Sequence, residues 1–160
     1  MLVFLSGSIN SGKTTVSKLV AERLGAAWIN VDDLNDRIPN FNLATDLDKS
    51  MDLAIEEINK YAALGKDIVA NYVLRERDYH RLGKEVLTTP QIIITLAPRL
   101  EIAQSNRGGR ELTEWEVSRV KHHYDTGIAS PDFGHIIDTS DMQINETVNA
   151  ILQHIEQATT

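Results

Sequence analysis

Residues 7–14, Gly-Ser-Ile-Asn-Ser-Gly-Lys-Thr, constrain this chain more than any other stretch of its 160 residues. The apolar run Leu2-Val-Phe-Leu5 precedes them, and a helical pattern with Val16, Leu19, Val20 and Leu24 follows, stopped by Gly25. A buried strand, a glycine turn and a helix in that order make a cradle for phosphate. Glycines let successive backbone N–H groups point inward. The helix start adds unpaired N–H groups and the positive end of its dipole. The spacing G-x-x-x-x-G-K-[ST] is met without a mismatch, which chance supplies in fewer than about one chain in a hundred of this length. In such a loop Lys13 bridges the β- and γ-phosphates of a nucleotide, and the Thr14 hydroxyl holds Mg²⁺. The expected nucleotide-binding residues are Gly7, Ser8, Asn10, Ser11, Gly12, Lys13, Thr14 and Thr15.

Composition narrows the partners. Sixteen Lys and Arg stand against 23 Asp and Glu, a net charge of −7. That balance argues against a general nucleic-acid binder, which needs clustered cations. With no cysteine, thiolate metal sites, disulfides and a cysteine nucleophile are excluded. No apolar run approaches the ~18 residues of a membrane span. Met1-Leu-Val-Phe-Leu-Ser lacks the basic start of a signal peptide. The expectation is a soluble, cytoplasmic protein whose residues 1–160 form one domain, with its oligomeric state left open.

Apolar runs alternate with helical patterns along the chain. Strands are predicted over 2–5, 27–31, 68–73, 91–96 and 134–138. Helices are predicted over 13–24, 45–64 and 76–87, from about Arg99 to the Gly108-Gly109 break, from the Thr113-x-x-Glu116 capping box to about Tyr124, and over 145–155. Strands separated by helices imply parallel crossovers with helices on both sheet faces, an α/β doubly wound class.

Two further clusters carry chemistry. Asp32-Asp33 ends the second predicted strand, and in an open α/β sheet ligands bind at the carboxyl ends of strands. Phosphoryl transfer to a hydroxyl needs an oriented base and a hard-oxygen partner for Mg²⁺. Asp32 is assigned as base and Asp33 as metal partner through water, with the reversed order left open. Asn106-Arg107-Gly-Gly-Arg110 supplies two arginines around a glycine pair, a lid over residues 106–112 whose guanidinium groups neutralise the transferring phosphoryl. Arg119 on the next helix points either inward or to a surface ion pair, and Arg75 and Arg77 either to an acceptor or to solvent. The His122-His123 pair has no third ligand at metal spacing. Asp132-Phe-Gly134 reads as a turn, because no kinase catalytic loop accompanies it. No N-K-x-D motif is present, since Asn59-Lys60 continues as Tyr61-Ala62.

Together, the N-terminal cradle, the carboxylates after strand two and the arginine break before the last strand resemble the small P-loop kinases. That superfamily includes shikimate, gluconate, adenylylsulfate and nucleoside monophosphate kinases, chloramphenicol phosphotransferase and zeta-type toxins. Asn30-Val-Asp-Asp-Leu34 is most similar to the chloramphenicol-phosphotransferase pattern, where the first Asp is the base. Arg107-Gly-Gly-Arg110, His122-His-Tyr-Asp125 and Ile137-Asp-Thr-Ser140 are similar to the same group, and the resemblance places the Asp138–Ser140 loop beside adenine. It implies a three-layer, five-stranded parallel sheet with the cradle strand at its centre. It also implies an ATP- and Mg²⁺-dependent kinase acting on a small-molecule hydroxyl, with residues 32–64 as the acceptor region and Lys13, Asp32, Arg107 and Arg110 as catalytic residues. The departures are adjacent aspartates where shikimate kinases carry Asp-x-Asp, no triple glycine after strand three, and Asn71 where many members carry an acid. The metal-side role of that acid is then absent or moved to Asp33. A nucleoside or nucleotide kinase is one alternative, and a nucleotide-binding regulator or toxin-like module with little turnover is another.

Overall fold

Residues 1–107 and 109–160 are described by the computed structural model. Strand β1 (Leu2–Gly7) is buried along its whole length, because it lies between two parallel neighbours and is covered on both faces. On one side it pairs with β3 (Ile68–Asn71), which pairs in turn with β2 (Ala27–Asn30). On the other side it pairs with β4 (Gln91–Leu96), which pairs with β5 (His135–Ile137). The order is β2-β3-β1-β4-β5, all parallel.

Alternation along β1 sorts the core into two layers. Val3 and Leu5 pack with Val16 and Val20 of α1 (Lys13–Leu24) and with Val148 and Ile151 of α7 (Ile144–Thr159). Leu2 and Phe4 pack with Met51, Ala54 and Ile58 of α3 (Leu47–Ala63) and with Leu82 of α4 (Glu76–Glu85). Helices cover both faces, the α/β three-layer class expected from the sequence. No helix among the described residues is long and apolar enough to cross a membrane.

Several boundaries differ from the periodicity. The second strand stops at Asn30, and Val31–Leu34 form a one-turn helix, α2, continued by a 3₁₀ turn over Asn35–Arg37. Val31 is fully buried in that turn, so its apolar side chain serves a helix where alternation suggested a strand. The third strand ends at Asn71, two residues early. After Arg99 the helix α5 runs only over Leu100–Ala103 before α6 (Glu114–Asp125). The capping box at the start of α6 forms as its sequence requires: Thr113 Oγ1 accepts from the Glu116 backbone N–H, and the Glu116 carboxylate accepts from the Thr113 N–H. Phe133 of the Asp-Phe-Gly stretch stacks on Tyr79, with ring centroids 4.4 Å apart.

Candidate active site

A cleft of about 700 Å³ opens at the carboxyl edge of the sheet, over the end of β1. Its floor is the loop between β1 and α1. Gly7 has φ 152°, and a Cβ there would stand 2.5 Å from Ser11 Oγ and 2.8 Å from the Leu96 carbonyl. Only glycine lets the loop fold that closely against β4. Asn10 takes φ 62° without being glycine. Its side-chain amide donates to the carbonyls of Ala103 (2.9 Å) and Ser105 (2.8 Å), and those bonds hold it there. Asn10 thus ties the loop to the segment after α5. No side chain caps the first turn of α1 at Gly12, so its N–H groups face the cleft, together with Thr15. Ser11 is buried with a hydroxyl that has no partner among the described residues.

Lys13 is 7% exposed, and its Nζ donates to the Ser8 carbonyl at 3.2 Å. Burial lowers its pKa, and the charge of Asp32 opposes that shift. Asp32 and Asp33 occupy the first turn of α2. Much of Asp32 reaches solvent by area, yet the protein around its carboxyl displaces enough water to raise its pKa, against the pull of Lys13. Asp33 accepts a hydrogen bond from Asn30 Nδ2 at 2.9 Å.

Asn71, at the end of β3, is the hub of a buried polar network. Its Oδ1 accepts from Ser17 Oγ at 2.7 Å, and Ser17 Oγ accepts from Trp28 Nε1 at 2.9 Å. Asn71 Nδ2 donates to Asn30 Oδ1 at 2.8 Å and reaches Thr14 Oγ1 at 3.4 Å. A continuous chain therefore links the Thr14 hydroxyl to Asp33 through two amides. Thr14 and the two aspartates are hard oxygen donors at one end of the loop, a donor set suited to Mg²⁺. Among the described residues no three His, Cys, Asp or Glu side chains converge on a metal position.

The two arginines of the 106–112 segment stand differently. Both line the cleft, but Arg107 Nη1 donates to the Asn10 carbonyl at 3.1 Å, whereas Arg110 is ion-paired with Glu116. Gly108, half of the expected glycine pair, lies outside the described residues.

One contributor escaped the sequence reading. His123 is 3% exposed, and its Nδ1 lies 2.9 Å from Ser8 Oγ, a residue 1% exposed in the phosphate loop. Burial first, then the charges of Arg119 and Lys13, lower its pKa to about 4, so the imidazole is neutral at pH 7. The signal was spacing: Trp115, Arg119 and His123 recur every fourth residue, so α6 presents all three to the cleft. Arg119 faces inward and makes no ion pair among the described residues. Arg75 lines the cleft but spends Nε and Nη2 on buried Asp78, at 2.7 and 3.0 Å, and Arg77 pairs with Asp48 at the surface.

Two wings flank the loop. Beyond β2 and β3 lie Asp32, Leu43, Leu47, Tyr72, Val73 and Arg75. Beyond β4 and β5 lie Thr139, Met142, Ile144 and Thr147, and the buried Thr139 hydroxyl has no partner among the described residues.

No family model matches the chain, and no curated protein does. Solved structures do. A gluconokinase from Sinorhizobium meliloti 1021 superposes with TM-score 0.76 at 15% identity, over 98% of this chain and 91% of that one. A sugar kinase from Janibacter sp. HTCC2649 gives TM-score 0.74 at 15% identity, over 97% and 94%. A shikimate kinase from Acinetobacter baumannii, in complex with shikimate, gives 0.68 at 16%, over 98% and 93%. The chain has the small P-loop kinase fold. Within that P-loop kinase fold, residues 9–15 of the loop, Asp32 of the acid pair, Arg107 and Arg110 line one cleft, Asp33 stands outside that lining, and α6 adds Arg119 and His123.

Proposed function

We propose that the chain is a phosphotransferase that moves the γ-phosphoryl of ATP to the hydroxyl of a small molecule. The observation that carries this reading is the pairing of Lys13, buried at the base of the phosphate loop, with the electrostatically coupled Asp32 at the mouth of the β2–β3 wing. The loop N–H groups and Lys13 hold the β- and γ-phosphates, and the β4–β5 wing, with Thr139 and Met142, takes the base. Arg107 and Arg119 offset charge on the transferring phosphoryl in a cleft partly closed to water. The acceptor lies in the opposite wing. Its hydroxyl oxygen forms a bond to the γ-phosphorus as the bond to the β,γ-bridging oxygen breaks, and ADP leaves. Asp32 orients the hydroxyl and accepts its proton. Most of the rate enhancement then comes from positioning and fixed charge.

Mg²⁺ would supply positive charge that offsets the charge of the phosphates. Thr14 would hold it directly and Asp33 through water, with Asn71 and Asn30 orienting both. A neutral amide where an acid is common also favours a second reading, a nucleotide-binding regulator with slow turnover. One experiment separates the two. The protein is incubated with ATP, Mg²⁺ and a broad set of alcohols, and ADP and phosphorylated products are read by mass spectrometry. Transfer to an alcohol, lost in Lys13→Ala, supports the kinase. ATP binding without transfer to any acceptor supports the regulator.

A further inference from the structure

The charges of the cleft are divided unevenly between its parts. Lys13, Arg107 and Arg119 make no ion pair among the described residues, and all three belong to the phosphate side. Lys13 is in the loop itself, and Arg107 donates to the carbonyl of Asn10. Arg119 sits one helical turn before His123, which touches Ser8. In the β2–β3 wing the only cation lining the cleft among the described residues is Arg75, and its charge is already met. The carboxylate of Asp78, fully buried, holds it in a two-point grip with contacts of 2.7 and 3.0 Å. Asp48 stands 3.6 Å from the same guanidinium and also pairs with Arg77 at 2.7 Å. These four charges cancel. What remains in or beside the wing is negative, Asp32 and Asp33. The rest of its wall is apolar: Leu43, Leu47, Val73 and the largely buried Tyr72.

An anionic acceptor entering this wing meets no spare cation and approaches two carboxylates. It would lose its hydration without recovering it. A neutral alcohol needs only Asp32 for its hydroxyl and the apolar wall for its body, and the N–H groups of Arg75 left over from Asp78 remain as hydrogen-bond donors. We infer that the acceptor is an uncharged alcohol with an apolar or ring face, and that the buried Asp78 sets this preference by cancelling Arg75. The inference rests on the phosphotransferase reading only in naming this wing as the acceptor side.

Matched pairs of ligands that differ in one charge test it: shikimate and its methyl ester, 4-(hydroxymethyl)benzoate and its methyl ester, gluconate and glucitol. Each is titrated calorimetrically and by thermal shift into the protein saturated with Mg²⁺ and a non-hydrolysable ATP analogue, so turnover is not required. The expected result is that neutral members bind about tenfold or more tighter than their carboxylate partners. Asp78→Asn frees the charge of Arg75, so it should narrow or reverse the preference. The double variant Arg75→Gln/Asp78→Asn keeps the wing neutral and should restore it, which separates a charge effect from a folding defect. Carboxylates that bind as well as or better than their neutral partners in the unaltered protein overturn the inference. So does a panel in which no member of any pair binds, or an Asp78→Asn protein that folds and keeps the original preference. Stabilisation by the ATP analogue alone and transfer from ATP are read separately. Their failure alongside a preserved neutral preference sinks the kinase reading and leaves this one standing.

Discussion

The phosphate loop and the arginine segment that faces it are held in opposite ways. The loop is fixed from afar. Ser8 is met by His123, 115 residues away, and Asn10 binds carbonyls 93 and 95 positions on. Asn71 reaches Ser17 and Asn30 from the neighbouring strand. Apart from the Arg107 bond to the Asn10 carbonyl, the arginine segment is held by its own neighbours. Arg110 N–H donates to the Arg107 carbonyl at 3.1 Å, Arg110 pairs with Glu116, and the Leu112 N–H reaches Asn106 Oδ1 at 3.5 Å. Long-range contacts preorganise a site, whereas short-range exposed ones can be exchanged at little cost. On this contrast we propose that the loop sets the binding geometry and the segment supplies closure.

Substitutions should rank along that contrast. Asp32→Asn removes the proton acceptor, and transfer should fall by about 10²–10⁴-fold with ATP binding kept. Because the folded state raises the pKa of Asp32, its charge disfavours folding at neutral pH, and the same variant should melt at a higher temperature there. An unchanged rate in Asp32→Asn with a lost rate in Asp33→Asn would reverse their roles. The rate of the unaltered protein should rise with pH through a carboxyl group titrating above the ordinary Asp value. Lys13→Ala should cost about 10²–10³-fold in transfer and weaken nucleotide binding, and a fully active variant would break the loop assignment.

His123→Gln tests whether the loop depends on remote support. In the folded protein the imidazole titrates near 4, below the unfolded value of 6.5, so the unfolded state takes up the proton first as pH falls. Stability from this group is complete above about pH 6.5 and is lost towards pH 4, by an amount on the order of 3 kcal/mol. Denaturant titrations between pH 4 and 7 should show that slope in the unaltered protein and a flatter one in His123→Gln. Equal slopes would remove His123 from the account. Arg107→Ala, which touches the loop, should slow transfer by about tenfold. Arg110→Ala loses an exposed, solvent-screened ion pair and should change the rate least. If Arg110 matters more than Arg107, closure exchanges Glu116 for phosphate and the contrast is sharper than the static contacts suggest.

Local chemistry made parts of this protein legible from residues alone. The cradle at 7–14, the helix stop at Gly25, the Thr113–Glu116 capping box and the parallel α/β class each follow from rules that act over a few residues. The acid pair was legible as a pair, but its setting was not. Val31 satisfies strand alternation by its apolarity, and only packing shows it anchoring a helical turn that brings Asp32 to the cleft. His123 was legible only as half of an incomplete metal motif, since nothing near it in sequence names Ser8 as its partner.

The sequence by itself placed the candidate phosphate cradle at the end of the first strand, because backbone turn and helix dipole are written in contiguous residues. The tertiary structure alone decided which charges stay available there. Whether an arginine is free or cancelled depends on a carboxylate brought to it by folding. That is why Arg75 and Arg119, alike in sequence, differ in the cleft: one faces the buried Asp78 and the other faces none among the described residues.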